Sequence, residues 1–149
     1  MSGDLSLKRI LVPLDGSDSS IQAAKYAVKL AKMAKAEIIF MHVMVNPPYA
    51  EYKSAELVVT HYIEEAKHHA EMWYSNVAEM ASKEGVKFST ETILDVASAA
   101  DSIVNYAESK KADLIVMGTR GRTGIKRFLL GSVASGVVTH AKCSVLVVR

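Results

Sequence analysis

Residues 9–18 read RILVPLDGSD, and this stretch decides the fold. Its first six residues form a short apolar run, which is typical of a strand buried on both faces in a parallel sheet. The run stops at the turn-forming residues DGSD, and an amphipathic helix is predicted directly after them, over residues 19–34. Ser17 or Asp18 is well placed to cap that helix. A buried strand, a turn and a helix in this order predict the first unit of an α/β fold.

The same alternation continues along the chain. Further strands are predicted over residues 38–43, 86–93, 113–117 and 144–148, and further helices over residues 55–83, 98–110 and 132–140. The segment 86–93 alternates apolar and polar residues, which favours a half-exposed strand near a sheet edge. Residues 1–149 are therefore predicted to form a single doubly wound, Rossmann-like α/β domain with a five-stranded parallel sheet and four helices.

Composition and charge narrow the function classes. Half of the 149 residues are hydrophobic and 23% are charged, which fits a packed globular core. The net charge of +2 gives no general attraction to nucleic acid or to a membrane surface. No apolar run approaches the ~20 residues needed to cross a bilayer, and no secretion signal is evident. The single cysteine, Cys143, forms no internal disulfide, so a cytoplasmic location is expected.

Two segments are suited to ligand contact, and together they favour one strand order. In an open parallel sheet, ligands bind beyond the carboxyl ends of the strands, where the order reverses. Residues 15–18 follow the first strand, and residues 118–132 follow the fourth. In the order 3-2-1-4-5 these two strands are neighbours at the reversal, whereas in the order 2-1-3-4-5 the third strand separates them. If both segments serve one ligand, the order 3-2-1-4-5 is predicted.

The second segment has the features of an anion site. Gly118 and Gly121 let the backbone approach a ligand closely. Gly131-Ser132 opens a helix whose first N–H groups lack helical partners and carry the positive end of the helix dipole, which suits phosphate. The alternative is that these glycines only end a strand and cap a helix beside a solvated basic face. The spacing matches neither a Walker A loop nor a dinucleotide fingerprint. Four basic residues lie nearby in the sequence: Arg120, Arg122, Lys126 and Arg127.

The spacing of these glycines resembles that of a known family. The chain contains the pattern Gly-x2-Gly-x9-Gly-Ser, formed by Gly118, Gly121, Gly131 and Ser132. It resembles the Gly-x2-Gly-x9-Gly-Ser/Thr pattern of the ATP-binding branch of the universal stress proteins. Because the likeness spans nearly the whole chain in the right order, it outweighs the alternative for the loop. The other similar stretches are ILVPLDGS at 10–17, HV at 42–43, DLIVMG at 113–118, GSVA at 131–134 and SVLVV at 144–148.

The resemblance implies a site for ATP, or for AMP or ADP, with Mg²⁺ or Mn²⁺ bridging the phosphates. It places Pro13, Leu14 and Asp15 against the adenosine, and the Asp15 carboxylate would receive ribose hydroxyls or help to hold the nucleotide-bound ion. The Val43 backbone corresponds to the contact with the adenine edge, and Met117 corresponds to a residue against the nucleoside. The ribose and phosphate cradle corresponds to Gly118, Arg120, Gly121, Gly131, Ser132 and Val133.

The resemblance also implies a homodimer whose last strands pair across a two-fold axis. The residues support this independently, because Val145–Val148 is apolar and has no covering helix after it. Such a strand is expected at a sheet edge, and an apolar edge is usually protected or paired.

No catalytic residue is identified. Fast ATP hydrolysis needs a residue that positions the attacking water, and none is evident. The hypothesis is a stress-response regulator that binds ATP, hydrolyses it slowly or with a partner, and signals through its nucleotide occupancy. One alternative is an ATP pyrophosphatase-type enzyme, because residues 15–20 faintly resemble the phosphate loop of such enzymes. Another is a phosphorelay receiver domain with Asp95 as the phosphoacceptor, although the lysine and final helix of receivers are missing.

The remaining histidines and the cysteine have structural interpretations. His61, His68 and His69 lie at i,i+4 spacings from two glutamates on the long helix, a pattern that suits a metal but more often forms a solvated face. His140 near a helix C-terminus is favoured there by the helix dipole. Cys143 has no base partner in the sequence and is interpreted as a buried structural thiol.

Overall fold

A computed structural model describes residues 6–45, 56–95, 98–119 and 130–149, and strands and helices alternate within these ranges. The prediction of five strands and four helices is confirmed. The strands are β1 (Arg9–Pro13), β2 (Glu37–Val45), β3 (Phe88–Asp95), β4 (Leu114–Gly118) and β5 (Ser144–Val148). The helices are α1 (Asp18–Ala34), α2 (Glu56–Lys83), α3 (Ala99–Ser109) and α4 (Ser132–His140).

The five strands form one parallel sheet in the order β3-β2-β1-β4-β5. This is the predicted order 3-2-1-4-5, and it places the reversal between β1 and β4. β3 and β5 lie at the two edges, as their sequence patterns predicted. The doubly wound, Rossmann-like α/β architecture is therefore the architecture of this chain.

The central strands are buried on both faces because helices cover both sides of the sheet. On β1, Ile10 and Val12 face one side, where they pack with residues of α1 and α2 such as Val28 and Val77. Leu11 faces the other side and packs with residues of α3 and α4, including Ile103. Side chains alternate along a strand, so one continuous apolar run supplies both cores.

The conformation of the turn between β1 and α1 is the one that its residues favour. Gly16 adopts a left-handed φ of 82°, a conformation that a residue with a Cβ rarely adopts. Ser17 is the N-cap of α1, and its side chain accepts a hydrogen bond from the Ser20 N–H. Capping by Ser17 rather than Asp18 resolves the choice that the sequence left open.

Several predicted element ends are wrong by one or two residues, and the strand predicted over residues 86–93 is β3 at residues 88–95. Long-range contacts decide two of these ends. β2 continues two residues beyond its predicted end because β3 pairs with it as far as the register Val45↔Asp95. Asp113 was predicted to begin the fourth strand, but it lies before β4. Its carboxylate accepts the backbone N–H groups of Lys8 and Arg9, each at 2.9 Å.

The helix α2 is longer than the sheet that it covers. Its 28 residues extend ~42 Å, whereas the five residues of β1 extend ~17 Å. Its buried residues Ala70, Val77 and Ala81 all lie in its second half. Tyr62 lies in the first half of the helix and is 40% exposed. Of the helices in the described ranges, neither α2 nor any other is long and apolar enough to cross a membrane.

Candidate functional site

A cleft of about 310 Å³ opens at the carboxyl ends of β1 and β4, where the strand order reverses. Its volume lies at the lower end of the range of small-molecule sites, about 300–1,000 Å³. Ligands of doubly wound folds bind at this place. The cleft is lined by Pro13, Leu14, Asp15, Ser20, His42, Val43, Ala99, Ile103, Met117, Gly118, Thr119, Gly131, Ser132, Val133 and Ala134.

Nine of the residues singled out from the sequence meet at this cleft, although 120 positions separate the first from the last. They are Pro13, Leu14, Asp15, Val43, Met117, Gly118, Gly131, Ser132 and Val133. The other two predicted site residues, Arg120 and Gly121, lie outside the described residues, as do Arg122, Lys126 and Arg127.

The Asp15 carboxylate is held in one orientation by the turn that follows it. Its Oδ1 atom accepts the Ser17 backbone N–H at 2.9 Å and the Ser17 hydroxyl at 2.5 Å. The same hydroxyl oxygen accepts the Ser20 N–H at 3.1 Å, so the cap of α1 and the Asp15 carboxylate form one hydrogen-bonded unit. A carboxylate has about four lone-pair sites, and the two bonds to Oδ1 leave it acceptor capacity toward the cleft.

Three helices present their first residues to the cleft, and their N-termini differ. Ser17 caps α1, and Ser98 caps α3 by accepting the Asp101 N–H at 3.2 Å. The first turns of α1 and α3 each contain an aspartate, whereas α4 has Gly131 as its N-cap, with no side-chain cap and no acidic residue in its first turn. Among these three described N-termini, the positive end of the dipole is therefore left uncompensated only at α4.

Close packing beside the cleft explains Gly118. A Cβ at this position would lie 2.2 Å from the Ser19 Oγ atom and 2.8 Å from the Ser19 carbonyl carbon. The chain then leaves β4 through Thr119, whose N–H donates to the Val148 carbonyl at 3.1 Å. The Thr119 carbonyl in turn accepts the Gly131 N–H at 2.8 Å, which fixes the start of α4 beside the end of β4.

The Val43 backbone faces the cleft side of β2. The Leu14 N–H donates to the Met41 carbonyl at 2.7 Å, so the backbone groups of Met41 point toward β1. Those of Val43, two residues later, point the same way because backbone groups alternate along a strand. β1 ends at Pro13, so the Val43 N–H and carbonyl face the space beyond the end of that strand.

Six lining residues were not identified as site residues from the sequence. Ala99, Ile103 and Ala134 supply apolar walls from α3 and α4. The sequence carries no signal for Ala99 and Ile103 beyond their places near a helix start, and Ala134 was noticed only as part of the family-like GSVA stretch. His42 was noticed only as part of the family-like HV pair at the end of the predicted strand. The full set is Ser20, His42, Ala99, Ile103, Thr119 and Ala134.

The titratable residues away from the cleft form no second chemical site in the part of the chain that the structure describes. His61 and Glu65 lie 3.3 Å apart, but their side chains are 72% and 64% exposed, and no metal-binding cluster is found among the described residues. The His140 ring donates to the Gly136 carbonyl at the end of α4. Cys143 is half-buried, and burial raises the pKa of its thiol, as befits a structural cysteine.

The strand order weighs against the receiver alternative. In the order 2-1-3-4-5, which receiver domains share with flavodoxin, the third strand lies beside the first at the reversal. Here β3 lies at a sheet edge, and β2 separates it from β1.

Comparisons with known proteins agree with this architecture. The family model for the universal stress protein family matches residues 6–149. A universal stress protein of Methanocaldococcus jannaschii is 43% identical over 99% of this chain and 85% of its own length. The structure is similar to that of a universal stress protein from Lactobacillus plantarum, with a TM-score of 0.88, 28% identity and coverage of 96% of this chain and 98% of that one. It is also similar to a universal stress protein solved in complex with cAMP, with a TM-score of 0.68, 26% identity and coverage of 97% and 98%. This chain belongs to the universal stress protein family.

Proposed function

We propose that this protein belongs to the ATP-binding branch of its family, and that its nucleotide occupancy acts as a regulatory signal in a stress response in the cytoplasm. The uncapped N-terminus of α4, which lies in the same cleft as Asp15, carries the proposal. A nucleotide needs a site for phosphate and an acceptor for ribose hydroxyls within one pocket. The uncapped start of α4 suits the first role and the Asp15 carboxylate suits the second, and the remaining walls of the cleft are largely apolar.

Each part of the nucleotide has a partner of suitable chemistry. The α4 N–H groups and Gly131 suit the phosphates, and the Asp15 carboxylate suits the ribose. The Val43 backbone groups suit the polar edge of adenine, and the Met117 side chain suits its face. The complex of a related universal stress protein with cAMP supports an adenine nucleotide here.

A divalent cation fits the cleft only as part of a nucleotide complex. Asp15 is the one carboxylate among the described lining residues, and Ser17 already occupies its Oδ1 atom. Mg²⁺ and Mn²⁺ bound in this way would take most of their ligands from phosphate oxygens and water, and would neutralise phosphate charge near Asp15.

Slow hydrolysis follows from the same residues. Asp15 and His42 are the only titratable side chains among the described residues that line the cleft. Asp15 accepts two bonds from Ser17, and the His42 ring bonds the Leu14 carbonyl. Neither is arranged to activate a water beside a γ-phosphate held at α4.

Calorimetric titration of the purified protein tests the proposal. We expect saturable one-to-one binding of ATP with Mg²⁺, weaker binding of GTP, and measurable binding of AMP and cAMP, because adenine and ribose make contacts common to all three adenine nucleotides. Product analysis should show no pyrophosphate and less than one turnover per minute. Absence of ATP binding would refute the proposal. Release of pyrophosphate would favour the pyrophosphatase alternative, and many turnovers per second would contradict the role of a sensor.

We also propose that the protein is a homodimer through β5. β5 lies at a sheet edge, and the Val148 carbonyl faces β4, because it accepts the Thr119 N–H. Backbone groups alternate along a strand, so the N–H and carbonyl of Val147 point away from β4, toward the open edge. A second copy of β5 would supply partners for these outward groups.

Proline substitutions in β5 test the dimer. We expect light scattering to give twice the 16.2 kDa of one chain for the wild type. The variant Val147→Pro should give a monomer that stays folded, because only an outward N–H is lost. The matched variant Leu146→Pro removes an N–H that faces β4 and should unfold the protein. A wild-type mass of 16.2 kDa at every concentration would refute the dimer.

A further inference from the structure

Just beyond the last paired residues of β1 and β2, a hydrogen bond from the His42 side chain joins the two segments. In the β1–β2 register, Pro13 lies opposite Met41, so Leu14 lies opposite His42. In a continued parallel ladder, the Leu14 carbonyl would accept the N–H of Val43. The His42 ring instead donates its Nδ1 proton to this carbonyl, at 2.7 Å. The carbonyl oxygen has no proton to give, so the hydrogen lies on Nδ1.

This bond acts on two groups of the cleft at once. It holds the peptide that leads directly into Asp15, and it occupies the Leu14 carbonyl, the group that would accept the Val43 N–H in a continued ladder. On the other side of Asp15, Ser17 holds the carboxylate through Oδ1. His42 and Ser17 therefore fix the Asp15 backbone and side chain from opposite ends.

The His42 ring is itself supported by α2. The Trp73 indole meets it edge to face, with ring centroids 5.0 Å apart and an interplanar angle of 84°. The same indole lies against Gly16, where an added Cβ would be 2.2 Å from its Cζ2 atom. One aromatic side chain thus packs on the imidazole and on the turn after Asp15, and it joins the two.

We propose that His42 is a positioning residue for ribose recognition, acting through the Leu14 carbonyl on the Asp15 carboxylate. The inference rests on the proposed binding of adenine nucleotides. It concerns selectivity between ribose and deoxyribose. This selectivity depends on the position of the Asp15 carboxylate oxygen and not on the affinity of the site for phosphate.

The test compares ATP with 2′-deoxy-ATP and 3′-deoxy-ATP by calorimetry. Because a hydrogen bond to a charged group is lost, the wild type should bind at least one deoxy analogue about tenfold or more weakly than ATP. In His42→Leu the ratio of ATP affinity to deoxy-analogue affinity should fall below about threefold, because ATP affinity is lost. The affinity for the deoxy analogue should stay within about twofold of the wild-type value. His42→Asn should restore most of the ratio, because its amide nitrogen stands where Nδ1 stood. Asp15→Ala should abolish the ratio.

Controls separate positioning from folding and from the proposed function. His61→Leu makes the same substitution on the exposed part of α2 and should leave the ratio unchanged. If His42→Leu weakens ATP and the deoxy analogues equally, or if His42→Asn fails to restore the ratio, the inference is wrong. If the wild type binds ATP without distinguishing the deoxy analogues, the inference falls and the proposed function stands. If the wild type binds none of the nucleotides, the proposed function itself falls.

Discussion

The variant Gly131→Asp should lose ATP affinity by about a hundredfold or more, yet unfold no more easily than the wild type. Gly131 is the N-cap of α4, with φ −60° and ψ 162°, a conformation that aspartate adopts readily at this position. Its carboxylate would accept the free N–H groups and place a negative charge where we propose that phosphate binds. Two unit charges about 4 Å apart repel by about 4 kcal/mol at an effective dielectric constant of ~20.

The expected gain in stability makes this result diagnostic. An acidic cap that complements the helix dipole adds about 0.3–1 kcal/mol to the free energy of unfolding. Most substitutions that abolish binding through misfolding lower that free energy instead. Urea denaturation beside the ATP titration therefore separates loss of the phosphate site from loss of the fold.

Two further measurements isolate the charge. Adenosine has no phosphate, so Gly131→Asp should bind it as the wild type does. Gly131→Asn caps the helix without adding charge and should lose less ATP affinity than Gly131→Asp. If Gly131→Asp binds ATP as tightly as the wild type, the phosphates do not lie at the start of α4.

Much of the fold was predictable because its strongest determinants are local. Short apolar runs such as residues 10–12 are buried wherever they lie in a parallel sheet, and the helix after each run is amphipathic. The strand order was predictable because, of the orders 3-2-1-4-5 and 2-1-3-4-5, only the first brings the two loops suited to ligand contact together. The end of β2 was not predictable, because its pairing with β3 joins residues about 50 positions apart.

Within the candidate site, too, the residues with a local sequence pattern were predictable and those that act through long-range contacts were not. Gly118 and Gly131 leave a spacing pattern in the sequence, because Ser19 leaves no room for a Cβ at Gly118 and Gly131 is the N-cap of α4. His42 and Trp73 leave none, because each acts on the β1–α1 turn from a distant part of the chain. The imidazole reaches Leu14 across 28 positions, and no local pattern indicates that its partner is a carbonyl. Tyr62 shows the converse: it lies at helical spacing from Ala66 and Trp73, yet it is 40% exposed because α2 extends beyond the core there.

The contact between Trp73 and the turn leads to the second large effect, which is on stability. Gly16→Ala should lower the free energy of unfolding by about 3 kcal/mol. A left-handed φ costs a residue with a Cβ about 1–2 kcal/mol, and overpacking adds about 1–3 kcal/mol. At Gly16, φ is 82°, and three indole atoms of Trp73 would lie within 2.8 Å of the new Cβ. Urea denaturation measures the loss directly.

A matched glycine separates these two terms. Gly85 has a φ of 68°, and an added Cβ there would meet no atom within 4 Å, so Gly85→Ala should cost only the backbone term of about 1–2 kcal/mol. The excess at Gly16 is then the contact with Trp73. In a double-mutant cycle with Trp73→Leu, the smaller side chain should relieve that excess and give a coupling of about 1–2 kcal/mol. Equal losses for the two glycine variants, or additive effects in the cycle, would show that Trp73 does not hold the turn. In that case α2 would cover the sheet without supporting Asp15, and the selectivity that we assign to His42 would have to arise from its bond to Leu14 alone.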